Sequence, residues 1–316
     1  MIKVGVGACT VGKPVRYNGE AKRSHEFLEK LGEHVCLMPF CPEVGIGLGV
    51  PRETIRLVDS GDSADGPRAM DSNTHTKDYT AQLEAFATHT MIDHPDLAGY
   101  ILVKGSPSCG LGRIKVYQQE GHLQNSHGIG IFARRIQELN PLLPVEEDGR
   151  LFDPGLRESF VSRLYVYQDW LDTVAAGLSA EVLIKFYGRY KYMLMAHHVP
   201  SYKALGKVLA NAGKRNIEQL GLEMMNLMML ALKKPANRKG FTNALQHIRG
   251  YLKRDLATDE KRDVDHAIEH YRTGVVPLVV PMRLLQYQFN RHPNDYIGSQ
   301  MIMQPYPEEL GLQNEI

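Results

Sequence analysis

Three of the four cysteines in this sequence stand just beyond an apolar run that predicts a β-strand. They are Cys9, Cys41 and Cys109. In an open parallel sheet the carboxyl ends of the strands meet at one edge, and ligands bind there. We therefore expect these three thiols to lie together. Cys36 lies inside a predicted strand and is expected to be a buried filler residue.

Three convergent thiolates are suited to holding a metal group. Iron–sulfur clusters are bound by cysteine thiolates, normally four, so three would leave one iron open to a further ligand. A zinc ion bound by three thiolates and a water is an equally reasonable alternative, and a reactive thiol with a resolving partner needs only two cysteines. The spacing contains none of the C-x₂-C pairs of zinc ribbons and ferredoxins, so it does not decide between the cluster and zinc.

Five polar residues near these cysteines are candidates for chemistry or binding. Glu43 follows the second cysteine by two positions and is a candidate general acid or base. Ser106 and Ser108, in the loop of the third cysteine, are candidate donors to an anion or to a metal-bound sulfur. Arg16 and Arg52 follow the first two cysteines and are candidate phosphate ligands. Each has a simpler interpretation as a surface charge, a helix cap or a turn residue.

The elements that must position these residues alternate between strand and helix in the first half of the chain. Strands are predicted at 2–8, 35–40, 99–104 and 144–147, and helices at 24–31, 78–90 and 128–140. Continuous apolar strands that alternate with helices predict a parallel α/β sheet covered on both faces. The polar stretch 59–76 is predicted to be one long loop, either mobile or a lid over the site.

The second half of the chain is predicted to be helical. The helices are expected at 154–176, 179–197, 201–212, 217–232, 239–256, 258–273 and 281–289. Asp153 before Pro154 is a typical helix start, and the Met-rich run 220–232 is expected to be helix core. We therefore predict an α/β N-terminal domain with a mostly parallel sheet at 1–150, followed by an all-α C-terminal domain at 151–316.

Composition and charge limit the class of protein and suggest a partner. The 316 residues are 43% hydrophobic and 23% charged, as in globular proteins, with no run of about 18 apolar residues and no leader pattern. We expect a cytoplasmic protein with reduced thiols and no membrane contact. The net charge of +1 combines −3 over residues 1–150, −2 over residues 151–180 and +6 over residues 181–316. The basic half predicts either a polyanion partner or a solvated surface without one.

Three separated motifs resemble those of the thiouracil desulfidase (TudS-like) family. The segments are ACTVGKPVRYNGEAKR, CPEVGIGLGVPR and KGSPSCG, and the resemblance covers about residues 1–148. The family replaces the thiocarbonyl sulfur of a thiolated pyrimidine by oxygen without net redox change. The resemblance implies an α/β fold that carries a 4Fe-4S cluster on three cysteines, with one open iron.

Transferred residue by residue, the resemblance places the cluster ligands at Cys9, Cys41 and Cys109. It places the catalytic glutamate at Glu43 and the serine beside the last ligand at Ser108. In the expected mechanism the open iron polarises the thiocarbonyl bond, and Glu43 takes a proton from the attacking water. Ser108 holds the pyrimidine ring or assists the proton transfer.

Two positions depart from the family pattern. Many members have aspartate where this chain has Asn18, and many have cysteine where it has Val15. Neither change removes a cluster ligand, but an acid/base role that the resemblance would imply for position 18 does not carry over directly to Asn18. The expected substrate contacts are Arg16, Asn18, Arg52 and Ser106.

The back half resembles the YbgA-like helical domain over about residues 180–310. The segments that carry this resemblance are FYGRYKYMLMAHHVPSYKALGKVL, NALQHIRGYLKRDL and HYRTGVVPLVVPMRLL. Arg, Lys and Tyr alternate on its helices, a pattern suited to phosphate contacts with RNA. The candidate RNA contacts are Lys185, Arg189, Lys191, Arg238, Lys239, Arg249, Lys253 and Arg254.

We therefore expect a desulfidase of 4-thiouridine in tRNA that needs no obligate protein partner, with the target nucleotide flipped out of its stack. One alternative is a desulfidase of free thiouracil or 4-thiouridine monophosphate that serves salvage or detoxification. The others are an iron–sulfur sensor that binds nucleic acid without catalysis, and a zinc-stabilised binding module.

Overall fold

A computed structural model describes residues 1–22, 26–59 and 66–316 of the chain. These residues form two compact units, Met1–Phe152 and Asp153–Ile316. The start of the helix predicted at 24–31 and residues 60–65 of the loop predicted at 59–76 lie outside the described residues.

The first unit contains both strands and helices. Its strands are β1 (Lys3–Gly7), β2 (Cys36–Phe40), β3 (Ile55–Val58), β4 (Arg68–Asp71), β5 (Leu97–Leu102), β6 (Ile114–Tyr117), β7 (Leu123–Gly128) and β8 (Val145–Glu147). Its helices are α1 (Glu26–Gly32), α2 (Pro42–Gly45), α3 (Thr80–Asp93) and α4 (Ile131–Leu139).

The four predicted strands form one parallel sheet in the order β2-β1-β5-β8, which confirms the predicted α/β class. β1 and β5 are central and buried, because Val4, Val6 and Ile101 are fully enclosed. The chain leaves β1 toward β2 on one side, while β5 lies on the other side of β1. The loops after these three strands therefore meet at the carboxyl edge, where such a change of direction opens a crevice.

A second sheet, in the order β4-β3-β6-β7, is not predicted from the sequence. Only β3 and β6 are parallel to each other, and both outer pairs are antiparallel. Ile55, Leu57, Ile114 and Val116 point into a core that α3 and α4 cover. Helix α4 begins later than predicted because the chain up to Gly128 is in β7.

The prediction of one long loop over 59–76 is wrong, since β4 lies within that stretch. Asp71 ends the strand and is 1% exposed. Its carboxylate accepts hydrogen bonds from the backbone N–H groups of Lys77, Thr74, Thr76 and His75 at 2.7–3.2 Å. These bonds hold the pKa of Asp71 well below its usual range. Hydrogen bonds from four successive backbone N–H groups to one carboxylate fix residues 71–77 in a turn.

The second unit is helical, as predicted. Its helices are α5 (Pro154–Ala176), α6 (Ala180–His197), α7 (Val199–Leu209), α8 (Ile217–Leu232), α9 (Arg238–Arg249), α10 (Thr258–Thr273), α11 (Val279–Arg291) and α12 (Asp295–Gly298). Asp153 caps α5 by accepting from the N–H of Leu156 at 2.9 Å, because a carboxylate satisfies a free amide of the first turn. The helix predicted at 239–256 ends at Arg249 and continues as a 3₁₀ turn over Gly250–Leu252.

The Met-rich helix α8 forms part of the core of this unit. Met224, Met225 and Met228 are fully buried, as expected for flexible apolar side chains that fill irregular space between helices. Within the described ranges, none of the helices is long and apolar enough to cross a membrane.

Candidate active site

The loops after β1, β2 and β5 bring three cysteines to one cavity of about 230 Å³. Cys9 lies in a 3₁₀ turn directly after β1. Cys41 is the N-cap residue of α2, directly before Pro42, the first residue of that helix. Cys109 lies in the loop after β5. The structure therefore gathers the three thiols that the strand positions pointed to.

The surroundings of Cys9 and Cys109 raise the pKa of both thiols in the protein alone. Burial, followed by the charges of Glu43, Cys41 and Cys9, raises the pKa of Cys109 well above its usual value. Burial and the Cys41 thiol also raise the pKa of Cys9, against the opposing effect of Lys22. A positive group bound in the cavity would favour the thiolate form of these two cysteines.

The donor set fits an iron–sulfur group better than one metal ion. In the part of the chain that the structure describes, no three His, Cys, Asp or Glu side chains are gathered as a single ion would need. Cys9, Cys41 and Cys109 are spread around a shared cavity, and soft thiolates are the usual ligands of iron–sulfur clusters. These three residues are therefore the ones able to hold such a group.

A carboxylate lies in the wall of the same cavity and is held from both sides. The Nε and Nη2 atoms of Arg52 lie 2.7 and 2.6 Å from Oε2 of Glu43. The hydroxyl of Ser108 donates to the other oxygen, Oε1, at 2.9 Å. The Glu43 and Arg52 side chains are only 15% and 7% exposed. Glu43 is therefore fixed in place while still facing the cavity, as a general base requires.

Arg52, expected to be a phosphate ligand, lines the cavity and is also bound within the protein. Besides Glu43, its Nη1 donates to the carbonyl oxygens of Val15 at 3.0 Å and of Gly49 at 3.3 Å. The guanidinium thus joins the loop after β1 to the turn after α2. These contacts place Arg52 to orient Glu43.

The two serines of the third loop have separate positions. Ser106 lines the cavity, and its Oγ accepts from the N–H groups of Ser108 and Cys109 at 3.2 and 3.1 Å. Ser108 is fully buried and is not part of the cavity wall. Its hydroxyl contacts Glu43, so of its two expected roles, holding the ring or assisting proton transfer, this position favours the second.

The first turn of α4 supports this loop from behind. Gly130 caps that helix, and a Cβ at this position would lie 2.5 Å from the carbonyl oxygen of Ser108. The N–H groups of Ile131 and Ala133 donate to the carbonyls of Pro107 and Ser108 at 3.1 and 3.2 Å. A glycine is needed here because backbone approaches backbone.

The expected substrate contacts Arg16 and Asn18 differ in position. Arg16 lines the cavity with a 38% exposed side chain, and its guanidinium lies 5.7 Å from the ring centre of Tyr17, which also lines it. Asn18 is not part of the cavity wall. Its amide donates to Glu20 at 2.6 Å, and this bond holds the turn.

Three residues near the site were not identified from the sequence. Lys104, at the end of a predicted strand, is exposed and lines the cavity. Lys22 pairs with the buried Asp148, which also accepts from the N–H of Lys104 at 3.0 Å. Tyr100 lies within a predicted strand, and a single polar group in an otherwise apolar strand was the available signal.

The prediction of a buried Cys36 is wrong. Cys36 is exposed at the first position of β2. β2 is the edge strand of the parallel sheet, so one side of it has no neighbouring strand to cover it.

The eight basic residues predicted to contact RNA fall into two groups. Five have partners inside the second unit, such as Glu181 for Lys185 or Asp265 for Arg249. The others of this group are Arg189, which pairs with Asp169, Lys191, which lies among tyrosines, and Arg238, which donates to two carbonyls. Over the described ranges, Lys239, Lys253 and Arg254 are exposed and form no ion pair.

Known proteins resemble the two halves of the chain separately. Residues 4–148 match the family described as 2-thiouracil desulfurase, and residues 191–307 match DUF1722, described as a protein of unknown function. The chain is 24% identical over 158 residues to the Uncharacterized protein YbgA of Escherichia coli (strain K12), which covers 50% of the chain and 94% of that relative. A solved structure of the [4Fe-4S]-dependent thiouracil desulfidase TudS is 28% identical, with a TM-score of 0.39. That similarity covers 48% of this chain and 93% of the solved one. The first half of the chain is thus similar to the 2-thiouracil desulfurase family, and the second half is similar to DUF1722 and to YbgA.

Proposed function

We propose that this protein is an iron–sulfur-dependent desulfidase that replaces the thiocarbonyl sulfur of 4-thiouridine in tRNA by oxygen. The family match of residues 4–148 supports the class of reaction. The observation that carries the proposal is the geometry of Glu43. Its carboxylate is held by Arg52 and Ser108 in the wall of a cavity shared with three cysteines.

Cys9, Cys41 and Cys109 are the residues that would hold a 4Fe-4S cluster. When bound through three thiolates, such a cluster supplies an iron without a protein ligand, which polarises a thiocarbonyl group as a Lewis acid. Glu43 lies two residues after Cys41 and lines the same cavity as the three cysteines. Its carboxylate therefore faces the space that the bound group would occupy.

The protein's own contribution is to activate water. Glu43 takes a proton from a water molecule as its oxygen bonds to C4 of the pyrimidine, and the C4–S bond then breaks. Sulfur leaves as hydrosulfide with the electron pair of that bond and with the proton of the hydroxyl formed at C4. Glu43 then returns its proton to the hydrosulfide, which gives hydrogen sulfide and restores the carboxylate. The sum is water plus thiocarbonyl giving carbonyl plus hydrogen sulfide, and no electron acceptor is needed. Arg52 contacts Oε2 twice and Ser108 contacts Oε1 once, so Oε1 keeps a lone pair that can take the proton of the water.

The basic second unit supports tRNA as the carrier of the thiolated base. Among the predicted RNA contacts, Lys239, Lys253 and Arg254 are exposed and have no ion pair with any residue that the structure describes, so they are suited to phosphate contacts that position an RNA without reading its sequence. The thiocarbonyl at C4 is on a base edge, so the nucleotide must leave its stack to enter the cavity.

The test is anaerobic incubation of the reconstituted protein with tRNA that contains 4-thiouridine and, separately, with 4-thiouridine monophosphate. We expect released sulfide and loss of 4-thiouridine absorbance from the tRNA, with slower turnover of the monophosphate. Turnover of the monophosphate or of 2-thiouracil alone would instead assign a salvage role. RNA binding that depends on the cluster, without released sulfide, would indicate a sensor. Zinc in place of iron in the purified protein would exclude the 4Fe-4S cluster.

A further inference from the structure

Tyrosines from three separate segments of the second unit meet around one another. Tyr192 lies in α6, Tyr251 in the 3₁₀ turn after α9, and Tyr296 in α12. The hydroxyl of Tyr192 donates to that of Tyr251 at 3.2 Å, and its ring meets Tyr296 edge-on at 6.3 Å between ring centres. The ring centres of Tyr251 and Tyr296 lie 5.6 Å apart. We call these three residues the tyrosine cluster.

Two rings of the tyrosine cluster keep much of their surface in contact with solvent. Tyr251 and Tyr296 are 41% and 37% exposed, whereas Tyr192 is 4% exposed. The buried Tyr192 holds Tyr251 by a hydrogen bond and Tyr296 by ring contact. The two outer rings are thus held in place while parts of them remain open. They offer flat apolar surface on which a planar group can stack, at a small cost in side-chain entropy.

A lysine without a carboxylate partner lies against these rings. The ammonium of Lys191 lies 6.0 Å from the ring centre of Tyr192 and 5.9 Å from that of Tyr202. Its side chain is half-buried, and among the described residues no carboxylate forms an ion pair with it. Contact with aromatic rings stabilises an ammonium but does not neutralise it. A positive charge therefore stays available beside the tyrosine cluster.

Further cations follow the tyrosine cluster directly along the chain. Lys253 and Arg254 stand two and three residues after Tyr251 and are exposed. Exposed aromatic rings next to unpaired cations are the combination by which proteins hold single-stranded nucleic acids, because every base has a face that can stack and every nucleotide has a phosphate. Tyrosines that served only to pack helices would need no cation and would bury their rings.

We propose that Tyr251 and Tyr296 bind an unpaired base of an RNA by stacking, and that Lys191 contacts a phosphate next to that base. This inference deepens the proposed function, since it names residues that hold the RNA and the kind of segment they take. Stacking on a side chain needs a base whose face is free, so the segment is single-stranded and not a duplex. Stacking is possible with every base, so this contact is tolerant of sequence.

The test compares two RNA probes that contain no thiolated base, so binding is measured without turnover. The probes are a labelled oligouridylate of about ten nucleotides, a usual site size for single-strand binding, and an RNA duplex of the same length. Fluorescence anisotropy with the full chain at several salt concentrations measures the affinities. We expect Tyr251→Leu with Tyr296→Leu to weaken binding of the oligouridylate by about tenfold or more. The affinity for the duplex and the salt slope should not change, because no charge is removed.

Three further variants separate stacking from charge. Tyr251→Phe with Tyr296→Phe keeps both rings and should bind the oligouridylate almost as tightly as wild type. Lys191→Gln should lower the slope of log affinity against log salt by about 0.7, the usual value for one phosphate contact with a single strand. Tyr287→Leu, at an exposed tyrosine of α11 that is not part of the tyrosine cluster, is the matched control and should leave binding unchanged.

A cross-link to the wild-type chain tests the contact without relying on the folding of a variant. An oligouridylate that carries 5-iodouridine is irradiated in the complex, and mass spectrometry of the digested chain identifies the residue to which it is attached. We expect attachment at Tyr251 or Tyr296.

The outcomes separate this inference from the function beneath it. If the wild-type chain binds the oligouridylate, the leucine variant binds it equally well and the cross-link lies elsewhere, the tyrosine cluster does not hold RNA and the desulfidase proposal stands. If the leucine substitutions weaken duplex binding to the same extent, the rings do not act on an unpaired base and the inference is wrong. If the wild-type chain binds neither probe, both this inference and tRNA as the substrate carrier are wrong.

Discussion

At the scale of single residues, the most informative side chain is Glu43, whose two oxygens have different partners. Arg52 contacts Oε2 and Ser108 contacts Oε1. Glu43→Gln keeps the size and an oxygen acceptor but cannot take a proton. We expect desulfidation to fall by about 10²-fold or more, the usual contribution of a positioned base. Iron content and the visible spectrum should stay unchanged, and anaerobic sulfide release measures the loss.

Glu20→Gln is the matched control for that change. Glu20 is an exposed carboxylate that pairs with Asn18 and is not part of the cavity wall. Its substitution should leave turnover near the wild-type rate. Full activity of the Glu43→Gln protein would show that the attacking water does not need this base.

Ser108 lies behind Glu43, which gives its substitution a distinct kinetic signature. Ser108→Ala removes one hydrogen bond to the carboxylate. Such a bond to a charged group contributes about 1.5 to 3 kcal/mol, so kcat should fall by about tenfold or more. Because Ser108 is not part of the cavity wall, KM should change little.

Initial rates over a range of 4-thiouridine monophosphate concentrations measure both constants. Ser126→Ala, at an exposed serine in β7, is the control and should change neither. A rise in KM with unchanged kcat would place Ser108 in direct contact with substrate, as the sequence had predicted.

The location of the site follows from the sequence, whereas its internal contacts do not. The cysteines that follow three strands lead to the cavity, because parallel strands end at a common edge. Arg52 follows Cys41 closely enough to suggest that it binds substrate, but in the structure its guanidinium pairs with Glu43. The bond between Ser108 and Glu43 joins residues 65 positions apart. The local sequence pattern contains no information on contacts between residues so far apart along the chain. Such contacts are determined by how the loops pack against each other in the folded protein.

At the scale of elements, the approach of α4 to the third cysteine loop is the tightest backbone contact of the site. Gly130→Ala places a Cβ 2.5 Å from the carbonyl oxygen of Ser108 and 2.8 Å from the nitrogen of Cys109. Neither backbone group can move without displacing the loop. We expect a loss of about 2 kcal/mol or more in unfolding free energy, as for overpacked core sites.

Thermal and urea unfolding measure that loss, and reconstituted iron per chain measures the displacement of the loop. Gly112→Ala is the control from the same unit, since a Cβ there meets nothing within 4 Å. It should leave stability within about 0.5 kcal/mol of wild type. Equal stability of the Gly130→Ala protein would mean that α4 moves away from the loop at no cost.

The elements themselves were predictable to different degrees. The strands of the parallel sheet are buried on both faces and appear as continuous apolar runs. β7 is largely exposed, with the sequence LQNSHG, and contains no such run. β4 is four residues long and lies in a polar stretch. These strands pair because of their neighbours and not because of their own composition, so propensity alone does not find them.

At the scale of the whole molecule, charge differs between the two halves of the sequence. Residues 1–150 carry −3 and residues 181–316 carry +6. Of the predicted RNA contacts, several form ion pairs within the second unit, whereas Lys253 and Arg254 are exposed and unpaired in the described structure. A cation that already has a carboxylate partner contributes less to binding a phosphate than one that is solvated.

The double substitution Lys253→Glu with Arg254→Glu should therefore weaken tRNA binding without changing turnover of 4-thiouridine monophosphate. The slope of log affinity against log salt should fall by about two, one for each lost phosphate contact. Fluorescence anisotropy with labelled tRNA over a series of salt concentrations measures it. Lys30→Glu with Lys115→Glu makes the same change in net charge at exposed positions of the first unit. If both pairs weaken binding equally, the attraction is a property of overall charge, and the second unit has no particular surface for RNA.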